Sequence, residues 1–166
     1  GRVKRPKTLE LDIPAGIATG QSLRLSGKGE PGERGGQSGD LLVTMYVSNH
    51  SVFVREGNNI SLEMPISFSQ AALGADISIP TMNGEEKYTI KEGTQTGTVL
   101  TLRGKGFPTL QNNKICGDML VKFKVIVPRK LNEKQKELLR KFSEEGHEEF
   151  EESRKSFFEK IKRKFE

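Results

Sequence analysis

The stretch GIATGQSLRLSGKG, residues 16–29, recurs as GTQTGTVLTLRGKG at residues 93–106, and this duplication decides the fold. Eight of the fourteen aligned positions are identical, where ordinary residue frequencies give about one match by chance. After a loop the copies rejoin as GDLLV at 39–43 and GDMLV at 117–121, with one extra residue in the second loop. The chain therefore contains two copies of one structural unit.

A glycine-rich segment, GKGEPG at 27–32, has the glycine spacing of a dinucleotide-binding loop. Such a loop needs a helix that opens at its last glycine, but the residues that follow are too rich in glycine to nucleate one. The second copy reads GKGFPT at 104–109 and lacks the third glycine. We interpret these glycines as turn and bulge positions that need positive φ.

Apolar and polar residues alternate with a period of two along much of the chain, which is typical of half-buried strands. The alternation covers residues 8–13, 23–25, 41–47, 100–102 and 119–127. Inside the β units, a helix is predicted only at 67–73. The pattern predicts a mainly β fold: two tandem small antiparallel β-sandwich or barrel domains, followed by C-terminal helices.

The repeat also sets the expected domain bounds. We predict a first β domain at 1–50, a connection at 51–58, a second β domain at 59–128 and a helical tail at 129–166. Because residue 1 aligns with Ser78, we expect the first domain to be truncated and the chain to be a fragment. In the tail, Asn132 and Gln135 have the spacing of a capping box at a helix start.

Composition limits the partners and the chemistry. The net charge is +5 and 33% of residues are hydrophobic, without a membrane-length apolar run or a signal-peptide pattern. We expect a cytoplasmic protein. A basic surface for nucleic acid or an anionic membrane stays open as an alternative, but scarce aromatics and interleaved Glu favour a solvated surface, so we expect neither partner. Cys116 and two histidines are too few for a zinc site.

No catalytic constellation stands out, so we expect no enzyme activity. Asp40 and Asp118 each follow a glycine at a strand start, where a carboxylate commonly accepts turn N–H bonds. A β scaffold with open edges can instead accept an extended peptide as an added strand. Leu9, Leu11 and Phe53 are candidates for contacting such a peptide, with a role in the core as the alternative.

The C-terminal tail carries two apolar stripes at helical spacing. Leu138, Leu139 and Phe142 fall on one face of the first helix, and Phe157 and Phe158 begin a stripe on the second. Three interpretations are open: dimerisation, a membrane-surface helix, or packing on the same chain. We favour dimerisation because the preceding β unit is too small to cover the first face alone.

Six segments carry a specific resemblance. They are KTLELDIPAGIATGQSLRLSGKGEPGERGGQSGDLLV at 7–43, HSVFVREGNNI at 50–60, PISFSQAALGADISIPTMNG at 65–84, GTQTGTVLTLRGKG at 93–106, LNEKQKELLRKF at 131–142 and KSFFEKIKRKF at 155–165. In this order and spacing, the sequence resembles the C-terminal substrate-binding and dimerisation region of DnaJ-type co-chaperones of the zinc-containing class.

The resemblance implies binding of unfolded client polypeptides, homodimerisation and support of a DnaK-type chaperone. It implies no cofactor here, because zinc belongs to a cysteine-rich domain outside this chain. In that family the client pocket lies between a strand missing here and the strand matching Leu9 to Ile13, which assigns Leu9, Leu11 and Phe53 to it. The family's dimerisation helix matches Leu131 to Phe142, which assigns Leu138, Leu139 and Phe142 to the dimer, with Phe157 and Phe158 reaching across to the partner.

Overall fold

The structure is a computed structural model that describes residues 3–165 and, for residues 147–150, the backbone alone. The chain forms two compact units, one reaching Ile126 and one starting at Val127. The domain bounds 1–50, 51–58, 59–128 and 129–166 stay a prediction, and their outermost residues, Gly1, Arg2 and Glu166, lie outside the described part.

The first copy of the repeat forms a two-stranded antiparallel sheet. Its strands are β1, Ser22–Leu25, and β2, Leu41–Thr44, and a single 3-10 turn, Glu33–Gly35, lies in the loop between them. Past the end of β2 the pairing continues, because the Met45 N–H donates to the Gln21 carbonyl at 2.9 Å. The two predicted strands are confirmed, although β2 is shorter than the predicted range 41–47.

The larger part of the β structure lies after residue 53. Strand β3, Val54–Glu56, falls in the predicted connection, and the second copy adds β4, Asn59–Ser67; α1, Phe68–Leu73; β5, Ala75–Thr81; β6, Gly84–Ile90; β7, Val99–Leu102; and β8, Met119–Ile126. The short helix α1 is confirmed: the Ser67 hydroxyl accepts from the Gln70 N–H at 3.1 Å, and Gln70 Oε1 accepts from the Ser67 N–H at 2.9 Å. This reciprocal cap fixes where the helix begins.

The main sheet has the strand order β3-β4-β8-β7 and is mixed, which corrects the prediction of purely antiparallel sheets. Strands β4 and β8 run parallel, from Ile60 opposite Met119 to Ser67 opposite Ile126. Parallel neighbours need a long crossover, and here α1, the β5–β6 hairpin and β7 all lie between them in sequence. The described strands form three sheets and close no barrel. The mainly β architecture with C-terminal helices is confirmed.

The buried core lies in the second copy. Among the described residues, no hydrophobic side chain before Ile60 is fully buried. The core consists of Ile60, Leu62, Ile66, Ala71, Ile79, Ile90, Met119, Val121 and Phe123. These residues come from β4, α1, both hairpin strands and β8, so the core holds the main sheet against α1 and the β5–β6 hairpin.

A glycine and an aspartate that are identical in the two copies make the same hydrogen bond in each. The Asp40 carboxylate accepts from the Gly27 N–H, and the Asp118 carboxylate accepts from the Gly104 N–H, both at 2.9 Å. Both glycines have positive φ, 69° and 72°, a conformation that favours glycine. The interpretation as turn positions with positive φ is confirmed for Gly27 and Gly104 but is wrong for Gly29, Gly32 and Gly106, where close backbone atoms leave no room for a Cβ atom.

The second unit contains two helices, α2, Glu133–Glu145, and α3, His147–Lys164. The predicted capping box is confirmed: Asn132 Oδ1 accepts from the Gln135 N–H at 2.8 Å, and Gln135 Oε1 accepts from the Asn132 N–H at 2.9 Å. Neither of these helices, nor any other in the described part of the chain, has the length and apolar character to cross a bilayer.

Candidate functional site

Phe53 lies directly before β3 and packs, half-buried, against the core of the second copy. Its ring centroid is 5.1 Å from that of His50, with the ring planes tilted by 45°. His50 Nδ1 accepts from the backbone N–H groups of Val52 and Phe53, at 3.0 and 3.3 Å. Phe53 is therefore held in place at the margin of the core, with part of its ring accessible.

Leu9 and Leu11 lie in a segment that forms no strand, which makes the prediction of a strand over 8–13 wrong. A strand needs a neighbour for its backbone N–H and C=O groups, and no described strand pairs with this segment. The matching residues of the second copy, in β6, are paired with β5. Both leucines are half-buried. Unlike Phe53, they are not among the side chains that pack on the core.

An apolar face of the first-copy sheet is only partly covered. This first-copy face consists of Leu23, Leu25, Leu41 and Val43, which are half-buried and directly opposite one another in pairs. Their counterparts in the second copy are Leu100, Leu102, Met119 and Val121, which lie in or against the core. No site residue is predicted here from the sequence, although the repeat aligns each of these positions with a core position.

The first-copy face ends at a free strand edge. On one side β2 pairs with β1, and no described strand pairs with its other side, whereas β8 is paired with β4 at the corresponding edge. An unpaired edge presents backbone N–H and C=O groups to which an extended chain can bond. The first copy thus combines a hydrophobic face with a row of unused backbone donors and acceptors.

The predicted dimerisation residues are exposed on the two C-terminal helices. On α2, the exposed fractions of Leu138, Leu139 and Phe142 are 57%, 41% and 60%. On α3, Phe157 and Phe158 are 60% and 51% exposed, and their ring centroids lie 5.9 Å apart in an edge-on arrangement. Large apolar side chains grouped on one helix face mark an interaction surface more strongly than scattered ones do.

Comparison with known sequences decides the family. The profile described as DnaJ C terminal domain matches residues 2–128, and the profile described as Chaperone protein DnaJ C-terminal region matches residues 134–166. The chain belongs to the DnaJ C-terminal domain family. The resemblance seen in the sequence is confirmed, and the second profile covers most of α2 and all of α3.

Three curated relatives named Chaperone protein DnaJ match almost the whole DnaJ C-terminal region. The one from Ruminiclostridium cellulolyticum is 51% identical over 164 residues, 99% of this chain and 43% of the relative. Those from Acetivibrio thermocellus and Clostridioides difficile are 53% and 50% identical over 162 residues, in each case 98% of this chain and 42% of the relative. The chain thus spans less than half the length of these relatives.

Sequence reasoning missed a further residue of this DnaJ C-terminal region, Arg55 in β3. Its Nη2 donates to the Gly16 carbonyl at 2.6 Å and its Nη1 to the Ile17 carbonyl at 2.8 Å, and its guanidinium lies 4.3 Å from the centroid of the Phe107 ring. Arg55 therefore holds the turn at Gly16 and Ile17, where the repeat begins, against β3. It lies two positions after Phe53. The one signal in the sequence is its alternation with Phe53, which places both side chains on the same side of an extended strand.

The pKa of Asp40, in the first hairpin, is shifted by its hydrogen bonds. The hydrogen bond from the Gly27 N–H lowers the pKa of this carboxyl below its ordinary value of 3.8, and the hydrogen bond from Arg24 lowers it further, against a small opposing effect of desolvation. Arg24 and Asp40 also form an ion pair. The carboxylate therefore accepts a hydrogen bond from the backbone of the turn, as the sequence predicts.

Proposed function

We propose that this DnaJ C-terminal region binds extended apolar segments of unfolded polypeptides in the cytoplasm, in support of a DnaK-type chaperone and without catalysing a reaction. Membership of the family and the relatives named Chaperone protein DnaJ support the chaperone role. The observation that carries the binding step is the free edge of β2 next to the partly covered first-copy face.

Binding at this place uses two contributions of different kinds. Backbone hydrogen bonds to the β2 edge are independent of the client sequence, which suits a protein that meets many clients. The first-copy face adds selectivity for apolar side chains, since each Leu-sized side chain removed from water contributes about 1.5 to 3 kcal/mol. Leu9, Leu11 and Phe53 are proposed as further apolar contacts.

A matched pair of substitutions on β2 tests this proposal. Val43 belongs to the first-copy face, whereas Leu42 points to the opposite side and is 66% exposed. The affinity of a labelled extended apolar peptide, measured by fluorescence anisotropy, is expected to fall at least about tenfold for Val43→Asp, because a charge enters the apolar contact. For Leu42→Asp it is expected to stay within about twofold. Equal affinities of the two variants would contradict the site.

Phe53 is tested in the same assay. Phe53→Ala is compared with Val52→Ala, its exposed neighbour, and circular dichroism first confirms that both variants are folded. A selective loss of affinity in Phe53→Ala is expected, because truncation removes accessible aromatic surface. Equal binding by the two variants would remove Phe53 from the site.

The salt dependence separates this function from that of a basic surface. Hydrophobic and backbone contacts persist at high salt, so peptide affinity is expected to change little between 50 mM and 500 mM salt. Binding to phosphate-rich partners depends steeply on salt because counterions are released. We therefore propose neither nucleic acid nor a membrane as a partner. Peptide binding that disappears at high salt would contradict the hydrophobic site and favour a basic binding surface.

We also propose that the protein is a homodimer held by the exposed faces of α2 and α3. Each face leaves large apolar side chains exposed to water, and two-fold pairing of identical faces covers both at once. Sedimentation at micromolar concentration tests this. Replacing Leu138 and Phe142 together by Ala is expected to shift the protein towards monomer, whereas replacing Lys136 and Arg140 together, at the same spacing on the other face, is not.

We propose, finally, that this region needs no metal, zinc being confined to the cysteine-rich domain that the family resemblance implies. No group of three or more potential metal-ligating side chains occurs within the described residues. Peptide binding and dimerisation are therefore expected to be unchanged after treatment with a zinc chelator, and loss of either would contradict the proposal.

A further inference from the structure

The stripe on α3 is strongly apolar and continues to the end of the helix. Phe157, Phe158, Ile161 and Phe165 follow one another at positions i, i+1, i+4 and i+8, and their exposed fractions are 60%, 51%, 37% and 87%. With 3.6 residues per turn, these side chains lie along one side of the helix.

Two opposite charges border this stripe on the same side. Glu151 and Lys162 are eleven residues apart, which places them about 20° apart around the helix and about 16 Å apart along its axis. Phe158 lies within about 40° of both. Within the helix Glu151 contacts Arg154 at 3.6 Å, and that guanidinium lies 5.9 Å from the centroid of the Phe158 ring. No ion pair of Lys162 within the chain is found among the described residues.

We propose that α3 pairs antiparallel with α3 of a second copy, around a two-fold axis that passes between Ser156 and Phe157. This inference rests on the homodimer proposed above. Because residues 151 and 162 are equally far from that axis, each Glu151 then faces Lys162 of the partner subunit, and symmetry makes this contact twice. The phenylalanines at 157 and 158 lie beside the axis, where the apolar contact is most completely buried.

The charges argue against a parallel pair, which would place Glu151 beside Glu151 and Lys162 beside Lys162, because like charges repel. An anionic lipid surface would repel Glu151 but attract Lys162, so lipid binding is an outcome that the experiment below distinguishes. The helix dipole favours acidic residues near the N-terminus and basic residues near the C-terminus, but Glu152 and Arg163, which lie about 120° or more around the helix from the residues of the stripe, satisfy it equally well. The dipole therefore does not explain why Glu151 and Lys162 border the aromatic residues.

A charge-reversal cycle tests the pairing. The dimer dissociation constant is measured by analytical ultracentrifugation at about 50 mM salt, where charge effects are only partly screened. Glu151→Lys and Lys162→Glu are each expected to weaken the dimer about tenfold, since either change makes two attractive contacts repulsive. The double variant is expected to return to within about twofold of the unmodified protein. The controls Glu152→Lys and Arg163→Glu carry the same charge changes on the side of the helix away from the stripe and are expected to change the constant less than about twofold.

The outcomes separate this inference from the homodimer on which it rests. If the unmodified protein is a monomer at micromolar concentration, both proposals are wrong. If it is a dimer but the double variant is as weak as the single variants, the antiparallel pairing alone is wrong. If the protein sediments with phosphatidylserine vesicles while Phe158→Asp leaves the dimer unchanged, the stripe contacts lipid and the pairing is overturned.

Discussion

Replacing Arg55 by Ala is expected to loosen the first copy of the repeat without unfolding the second. The substitution removes the guanidinium hydrogen bonds to the carbonyls of Gly16 and Ile17 and the contact with the Phe107 ring. Each hydrogen bond from a partly buried group contributes about 1 kcal/mol net, and the cation–π contact adds about 0.5 to 1 kcal/mol. The opening free energy of this turn is therefore expected to fall by about 2 to 3 kcal/mol, roughly a 30- to 150-fold change in the opening equilibrium.

Amide hydrogen exchange measures this change directly, because exchange in the native state reports local opening. The Gly20 N–H donates to the Met45 carbonyl at 2.8 Å, close in sequence to the turn that Arg55 holds. Its exchange is expected to accelerate by that factor in Arg55→Ala and by an intermediate factor in Arg55→Lys, since an ammonium keeps the charge but not the two-carbonyl geometry.

Arg24, on the first hairpin, provides the control for the exchange measurement. Arg24→Ala removes an ion pair in which the arginine side chain is 71% exposed, and such pairs contribute little. Its effect on the same amide is expected to stay below about threefold. If Arg55→Ala also leaves exchange within threefold of the unmodified protein, Arg55 does not hold the turn, and the reasoning from its contacts is refuted.

Three further substitutions follow from the same contacts. Phe123→Ala, in the middle of the core at 1% exposure, is expected to cost about 3 to 5 kcal/mol of unfolding free energy in urea titrations. Asn132→Ala should destabilise α2 by about 0.5 to 2 kcal/mol, seen as faster exchange in its first turn, with Asn132→Asp as the conservative control. Because the pKa of Asp40 is lowered in the folded state, its contribution is present above pH 3.8 and is lost as the pH falls through the lowered pKa. The stability difference between the protein and Asp40→Asn should therefore shrink on acidification below pH 3.8, and a difference that grows would contradict the assignment.

The elements that sequence predicted well are those whose determinants are local. The capping box at Asn132 needs only Gln135, three positions later. The GKG turns were recognised because the repeat showed them twice. In both cases the physical cause lies within a few residues of the chain.

Sequence failed where a structure depends on a partner distant in the chain. Alternation at 8–13 shows that the segment suits a strand but does not supply the neighbour that a strand needs. The parallel pairing of β4 and β8 is equally invisible, because alternation carries no direction. Arg55 was missed because a charged residue in a strand pattern is normally interpreted as solvated, whereas here its guanidinium donates to three backbone carbonyls, two of them in the turn at Gly16 and Ile17.

The two copies have the same turns but differ in how far their sheets are covered. The same substitution of valine by aspartate can therefore be compared at a partly covered position and at a buried one. Val43 and Val121 are equivalent in the repeat, but Val121 is fully buried in the core and Val43 lies on the partly covered first-copy face. Val121→Asp is expected to abolish cooperative unfolding of the second copy, because a buried carboxylate without a partner is strongly unfavourable. Val43→Asp is expected to keep that transition and lose peptide affinity. If Val43→Asp unfolds the protein as completely as Val121→Asp does, the first-copy face is core and not a binding surface.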